Sequence, residues 1–322
     1  MKKKTIATKG DKKNNFNGLG RRDNIDGTIM ASLPFIGYIL FSFFPMAFSV
    51  VISFTELHGY DFSQMRFLWE DGVWHTFDNY INLFKTEFFG ISVLNSLQYT
   101  LIVPFKLALQ LYIAHLLTKR VVARKFFRVA YFIPSICSTV AVSVMWNWIF
   151  EPNFGIVNTF LGYFGGPRLG LVSSAEEFMR CVWVLSIWWG GCNVILMDSA
   201  LASVDTSLKE AASLDGASEF KIFWKITFPC ITPTIFYHLV MNFIAAMQEM
   251  GLMQVLSNGG TGPGYKALTM TYYMYQLSFG AYSQGKLGGM GIGCAFGWFI
   301  ALIIIVVTRL QFWLAKKWVN YD

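Results

Sequence analysis

The polar groups able to act on a solute stand in runs that are otherwise apolar. Glu249 follows Gln248 inside such a run, and Asn242 lies seven residues before Glu249, two helical turns back and on a similar face. An ionisable side chain in an apolar span is costly and marks a pathway, unless a neighbouring helix merely satisfies it. A second group is Trp188, Trp189 and Asn193, of which Trp189 and Asn193 are four apart and share a helical face. Carboxylates and amides that bond hydroxyls, with indoles that lie against apolar C–H faces, suit a polyhydroxylated solute. The same tryptophans also read as packing residues, and Glu249 also reads as a proton- or ion-coupling carboxyl. Lys106 and His115 read as snorkelling or interhelical bonding groups. Asp198 and His238 read as interfacial.

Catalytic chemistry finds no footing. The four histidines (His58, His75, His115 and His238) form no H-E-x-x-H pattern, and Asp61, Asp71 and Asp78 lack metal-ligand spacing. The G-x-x-x-x-G-K-[ST] phosphate loop is missing, so no cofactor is expected in this chain and no metal site. The five cysteines form no C-x-x-C pair and read as small buried apolar residues. Gly289, Gly293 and Gly297 recur at four-residue intervals at the start of an apolar run, which reads as a helix-packing face.

The elements that must position these groups follow from composition. The chain has 322 residues, 54% of them hydrophobic, 17% aromatic and only 14% charged. An ordinary soluble domain carries about 25% charged residues. Disorder, a disulfide scaffold and most soluble enzymes are thereby excluded, and an all-α polytopic membrane protein is indicated. Six apolar runs are long enough to cross a bilayer: about 28–54, 94–117, 126–150, 179–201, 231–256 and 287–314. Residues 1–27 read as a polar, basic cytoplasmic tail, and 28–322 as one transmembrane domain whose first span is a retained signal anchor. The net charge of +7 sits largely in that tail and in short connections, a pattern of orientation rather than of nucleic-acid binding. Lys119, Arg120, Arg124, Lys125 and Arg128 follow the second run, Lys209, Lys221 and Lys225 the fourth, and Lys316 and Lys317 the sixth. The positive-inside rule puts both termini and these connections in the cytoplasm. The outer connection 55–91 is acidic, holds Trp69 and Trp74, and reads as a small packed cap.

One cytoplasmic connection, about 204–233, does not have a loop's composition. Leu208, Ala211, Ala212, Leu214 and Ala217 favour a short helix that Asp205 or Thr206 can cap. Gly216 permits a turn. A second helix, about 218–227, carries Phe220, Phe223, Trp224 and Ile226, and Pro229 and Pro233 lead into the fifth span. Such a projection suits docking into a partner's groove, or packing as an elbow on its own bundle.

The run Glu210-Ala211-Ala212, three residues, Gly216, nine residues, Ile226-Thr227-Phe228-Pro229 resembles the EAA loop of ABC-importer permeases, with Phe228 where that pattern has Leu. Asp215-Gly216-Ala217 is similar to its carbohydrate branch. Asn79-Tyr80, Asn95-Ser96-Leu97, Trp146-Asn147-Trp148 with Pro152 and Gly155, Asn258-Gly259-Gly260 and Tyr275-Gln276 with Phe279 extend the resemblance over about 29–322. It is nearest to the maltose and glycerol-3-phosphate type. The resemblance implies a type I ABC-importer permease bundle, half of a translocation path for a sugar or oligosaccharide. It implies that Glu210, Ala211, Ala212, Asp215, Gly216, Ala217, Phe220, Ile226 and Pro229 contact an ATPase, and that Glu249 corresponds to a sugar-contacting position. It further implies a second homologous permease, an ABC ATPase dimer that binds ATP and Mg, and an extracytoplasmic solute-binding protein. An ion-coupled secondary transporter, with Glu249 as coupling site, is the rival reading.

Overall fold

Apolar runs of this length satisfy their backbone groups in lipid by forming helices, and helices make up the structure. A computed structural model of the chain describes residues 14–57, 66–67, 77–119, 122–285 and 287–320. The first lysines, His58, His75, Asp61, Glu70, Asp71, Trp69, Trp74 and Arg120 lie outside the described residues. Four helices are each long and apolar enough to span a membrane: Asp26–Ser53, Phe89–Thr118, Glu219–Met247 and Met290–Ala315. Two helix pairs reach that length and apolarity only together and are sharply bent, Arg124–Ile136 with Thr139–Ile149 at 102° and Phe178–Trp188 with Gly191–Ser203 at 45°. The described residues thus hold four to six candidate spans, six if each bent pair, numbered 3 and 4 below, is counted as one.

Span 1 (Asp26–Ser53) comprises the later part of α1 (Asn14–Tyr38), a π turn at Ile39–Phe43, and α2 (Phe44–Ser53), so the helix begins within the stretch read as a tail. Pro45 lacks the N–H that would close the ordinary bond to Phe41, and the helix closes a wider ring instead, Phe44 N–H to the Ile39 carbonyl. Only 6% of the most apolar window of this span is buried, with Leu33, Phe35, Phe41 and Phe44 turned outward, as lipid contact requires. A two-residue antiparallel pairing (Thr55 with Phe67) and α3 (Asp78–Leu83) follow it.

Span 2 is α4 (Phe89–Thr100) and α5 (Ile102–Thr118). Span 3 is α6 (Arg124–Ile136) and α7 (Thr139–Ile149), where the sequence suggested one continuous run. The turn follows Pro134, and Cys137 is extended, ending α6. Ser138 then starts a new helix by accepting the Ala141 N–H at 3.2 Å. After α8 (Ile156–Tyr163), span 4 is α9 (Phe178–Trp188) and α10 (Gly191–Ser203). A side chain at Gly191 would collide with the Tyr131 carbonyl, so glycine is what allows α10 to lie against α6. On the cytoplasmic side α11 (Thr206–Leu214) and α12 (Glu219–Ile222) lead through a π turn (Phe223–Thr227) into α13 (Phe228–Met247). Then come α14 (Gly251–Leu256), α15 (Met270–Ser278) and span 6, α16 (Met290–Ala315).

The largest core gathers Phe178, Met179, Leu185, Met247, Met253, Tyr272 and Phe296 from α9, α13, α14, α15 and α16. A second core joins Leu107 and Ala114 of α5, Met197 of α10 and Ile231 of α13. Buried amides brace the outer connections. Asn95 donates to the Tyr265 and Leu268 carbonyls at 2.8 and 3.0 Å, and Asn79 to those of Ser53 and Thr55, both at 2.9 Å. Gln276 donates to Gly259 at 3.2 Å. Gly293 and Gly297 abut Ser278 and Met274 of α15, the packing face read from their spacing. Of the cysteines only Cys181 is buried and Cys294 half-buried; Cys137, Cys192 and Cys230 are exposed, on a molecule whose outward surface is itself apolar.

Candidate functional site

Two constellations stand out, one on the cytoplasmic surface and one inside the bundle.

The cytoplasmic one is built by three local devices. Asp205 caps α11, its carboxylate accepting the Ser207 N–H at 2.9 Å. That backbone bond, with the Ser207 hydroxyl, holds the Asp205 carboxyl below the usual aspartate range. The helix ends at Gly216 in the left-handed region (φ 77°), where the Ala217 N–H returns to the Ala212 carbonyl at 3.0 Å. Ser218 then caps α12 through the Lys221 N–H. Pro229 is preceded by a π turn like the one before Pro45, so α12 runs into α13 without a break.

The result is a two-helix projection on which Leu214 is 90% exposed and Phe220, 75% exposed, borders an apolar groove against α5 with Phe223 and Trp224. Glu210, Ala211, Asp215 and Gly216 are exposed, whereas Ala212, Ala217, Ile226 and Pro229 are half-buried. Glu210 forms no ion pair with any described residue. The inner side is different: the Phe223 ring meets His115 of α5 at a tilt, with centres 4.5 Å apart, and Trp224 meets Phe228 likewise at 4.9 Å. The segment therefore packs as an elbow on one side and leaves Glu210, Ala211, Leu214 and Asp215 exposed on the other.

The interior constellation is a cavity of about 100 Å³ where spans 2, 4 and 5 meet. Tyr99, Lys106, Ser186, Trp189, Asn242 and Glu249 supply its polar lining. Lys106 and the Tyr99 hydroxyl both donate to the Ser186 hydroxyl, at 3.4 and 3.3 Å. Glu249 accepts the Leu252 N–H at 2.9 Å and thereby caps α14. Lys106 and Glu249 both line this space, and no ion pair within 4 Å joins them. A basic and an acidic head facing one small cavity can together bond hydroxyl groups as donor and acceptor.

Sequence reasoning placed Glu249 in the middle of a continuous fifth span, and the structure corrects this. The helix stops at Met247, and Glu249 stands in a break before α14, its own carbonyl accepting the Thr269 hydroxyl at 2.6 Å. Glu249, Asn242 and Trp189 share the cavity. Asn193 is attached to it by donating to Asn242 at 3.2 Å. Gln248 is exposed, and Trp188 stands edge-on to Trp146 with centres 5.5 Å apart; neither lines the cavity. Tyr99 and Ser186 were missed, since one hydroxyl in an apolar run carries little signal. Lys106 makes the interhelical bond that was one of its two readings, and it is the cationic side of this site. Asp198, read as interfacial, is fully buried near the end of α10 and held by Arg124 and Arg128.

Residues 111–320 match the family model described as binding-protein-dependent transport system inner membrane component. The chain is 30% identical over 306 residues, 94% of each chain, to YesP, a probable ABC transporter permease protein of Bacillus subtilis (strain 168). It is 28% identical over 293 residues to the arabinooligosaccharides transport system permease protein AraP of Halalkalibacterium halodurans, covering 90% of this chain and 87% of AraP. Its fold is shared with a chain of the bacterial alginate ABC transporter solved with an alginate pentasaccharide-bound periplasmic protein, at a TM-score of 0.72 and 22% identity over 94% of this chain and 97% of that one.

Proposed function

We propose a defined role for this chain, which belongs to the binding-protein-dependent transport system inner membrane component family: it is the sugar- or oligosaccharide-conducting permease half of an ATP-driven importer. The observation that carries this reading is the capped projection 204–233, whose family spacing coincides with an outward apolar face and a rigid junction to span 5. The chain is a multi-pass, non-catalytic membrane subunit. The ion-coupled alternative that Glu249 invited is set aside by the family match.

In this reading Glu210 pairs with a basic group of the ATPase, while Ala211, Ala212, Asp215, Gly216 and Ala217 allow a close approach. Phe220, with Ile226 and Pro229 behind it, fills a cleft of that partner. ATP and Mg are held by the ATPase dimer, and a second homologous permease supplies the other half of the path. An extracytoplasmic binding protein, as in the alginate assembly, delivers the solute. The substrate class follows the arabino-oligosaccharide and alginate relatives, both carbohydrates. The cavity at Glu249, Asn242 and Trp189, with Asn193 beside it, supplies hydroxyl-bonding groups along the path, while Gln248 and Trp188 serve from outside it.

Purification of the tagged chain in mild detergent, with mass spectrometry of its companions, tests this. A Walker-motif ATPase and a second six-span permease are the expected companions. Recovery of the chain alone or as a homodimer would refute it. Glu249→Ala is expected to reduce uptake while assembly with the ATPase persists, and normal uptake kinetics would remove Glu249 from the path.

A further inference from the structure

The coupling segment is fastened to the connection between spans 2 and 3 at two places. Before the segment, Asp198 near the end of α10 is fully buried. One of its oxygens accepts from Arg124 at 3.0 Å and the other from Arg128. Arg124 and Arg128 are four apart on the first turns of α6 and so share a face. Within the segment, Glu219 opens α12 and accepts from Lys119 at 2.8 Å. Lys119 is the residue that closes α5.

The two fastenings differ in kind. Asp198 is desolvated and bound by two guanidinium groups, and removal of either partner of such a group is strongly disfavoured. It pins α10 to α6 as a fixed end. Lys119 and Glu219 are 48% and 86% exposed. An ion pair in water adds little to folding stability, so its placement is not explained by the fold's need for it. It does connect the one segment that faces a partner to the end of span 2. The tilted ring contact of His115 with Phe223, one turn back along α5, lies at the same junction.

We infer that Lys119–Glu219 is a strut that hands displacement of the coupling segment to span 2, with the Asp198 cluster as the fixed end that keeps the displacement from being absorbed. Lys119 and Glu219 are positioning residues: neither reaches the nucleotide or the solute. The inference rests on the importer reading. While the strut holds, the resting bundle restrains closure of the attached ATPase. When it is cut, the segment moves without span 2, and the restraint on the ATPase is relaxed.

The test is ATP hydrolysis by the complex recovered through a tag on this chain, reconstituted in lipid nanodiscs, with Mg-ATP as the only probe. Lys119→Glu and Glu219→Lys are each expected to raise hydrolysis at least threefold over the wild-type complex. The charge-swapped double variant, Lys119→Glu with Glu219→Lys, is expected to return it to within about 1.5-fold. A loss of stability would lower hydrolysis rather than raise it. Wild-type hydrolysis in both single variants, or a swap no closer to wild type than either, overturns the strut. If the wild-type chain brings down no ATP-hydrolysing partner at all, the importer reading falls and the strut falls with it, so the two failures are distinguishable.

Discussion

Removal of one charge from the interior cavity should cost far more than removal of both. Lys106 and Glu249 face the same space of about 100 Å³. No ion pair within 4 Å joins them. Lys106→Met removes the amine that faces Glu249, and Glu249→Gln leaves Lys106 with the Ser186 hydroxyl as its hydrogen-bond partner. A buried polar group that loses its partner costs about 1–3 kcal/mol, so each single variant should lose about that much. For a chain of this size each kcal/mol is worth about 2 °C in unfolding temperature. The measurement is thermal unfolding of the full chain in detergent, followed by tryptophan fluorescence. Each single variant should unfold about 2–6 °C below wild type by the same conversion. The double variant should recover most of that loss, because neither charge is then left alone. If the two losses simply add in the double variant, the charges do not interact and the cavity is not an electrostatic unit.

Three further outcomes are expected. Glu210→Lys, and Gly216→Asp at a backbone angle of φ 77°, should leave insertion intact but abolish coupling of ATP hydrolysis to uptake; undiminished uptake at normal expression would refute the assignment. Asp198→Asn leaves Arg124 and Arg128 without their buried counter-charge and should cost about 3–5 kcal/mol, seen as lost folded protein on size exclusion. Asp205, held below the ordinary aspartate pKa of about 3.9 by its backbone bond, should cap α11 fully above that pH and release it only as pH falls through the lowered value; fraying of residues 206–209 by NMR already at pH 5 would contradict the sign.

The helical class, the count of spans and the coupling segment were legible because each rests on local pattern. Mean hydropathy is high (+0.45), and the spacing from Glu210 to Pro229 needs no tertiary knowledge. What was not legible depends on contacts between distant residues. Span 3 reads as one apolar run because hydropathy does not register that Ser138 caps a new helix after Pro134. Glu249 looked like a mid-helix carboxylate, yet the break after Met247 is fixed by the Thr269 hydroxyl, twenty residues on. Asp198 looked interfacial because its partners, Arg124 and Arg128, are seventy or more residues away and look like orientation signals. The resemblance motifs had a structural meaning as well: Asn95, Asn79 and Gln276 hold the outer connections by bonding backbone carbonyls.

The two π turns make a physical case that the coupling segment acts as a lever. A proline near the start of a helix removes one N–H, and a chain can respond with a kink or with a wider ring. Before Pro45 and again before Pro229 the chain takes the wider ring, Phe44 N–H to Ile39 and Phe228 N–H to Phe223. Helical continuity is thereby kept through both prolines. At Pro229 this matters, because α12 carries the exposed Phe220 and α13 carries Asn242 toward the cavity. A kink there would absorb a push on α12 as bending. A continuous helix instead passes it along 29 residues, from Glu219 to Met247, to the break that Glu249 caps. The exposed projection and the polar cavity thus lie at opposite ends of one continuous helix, Glu219–Met247, in which Pro233 also stands, so displacement of one end has a route along the chain to the other.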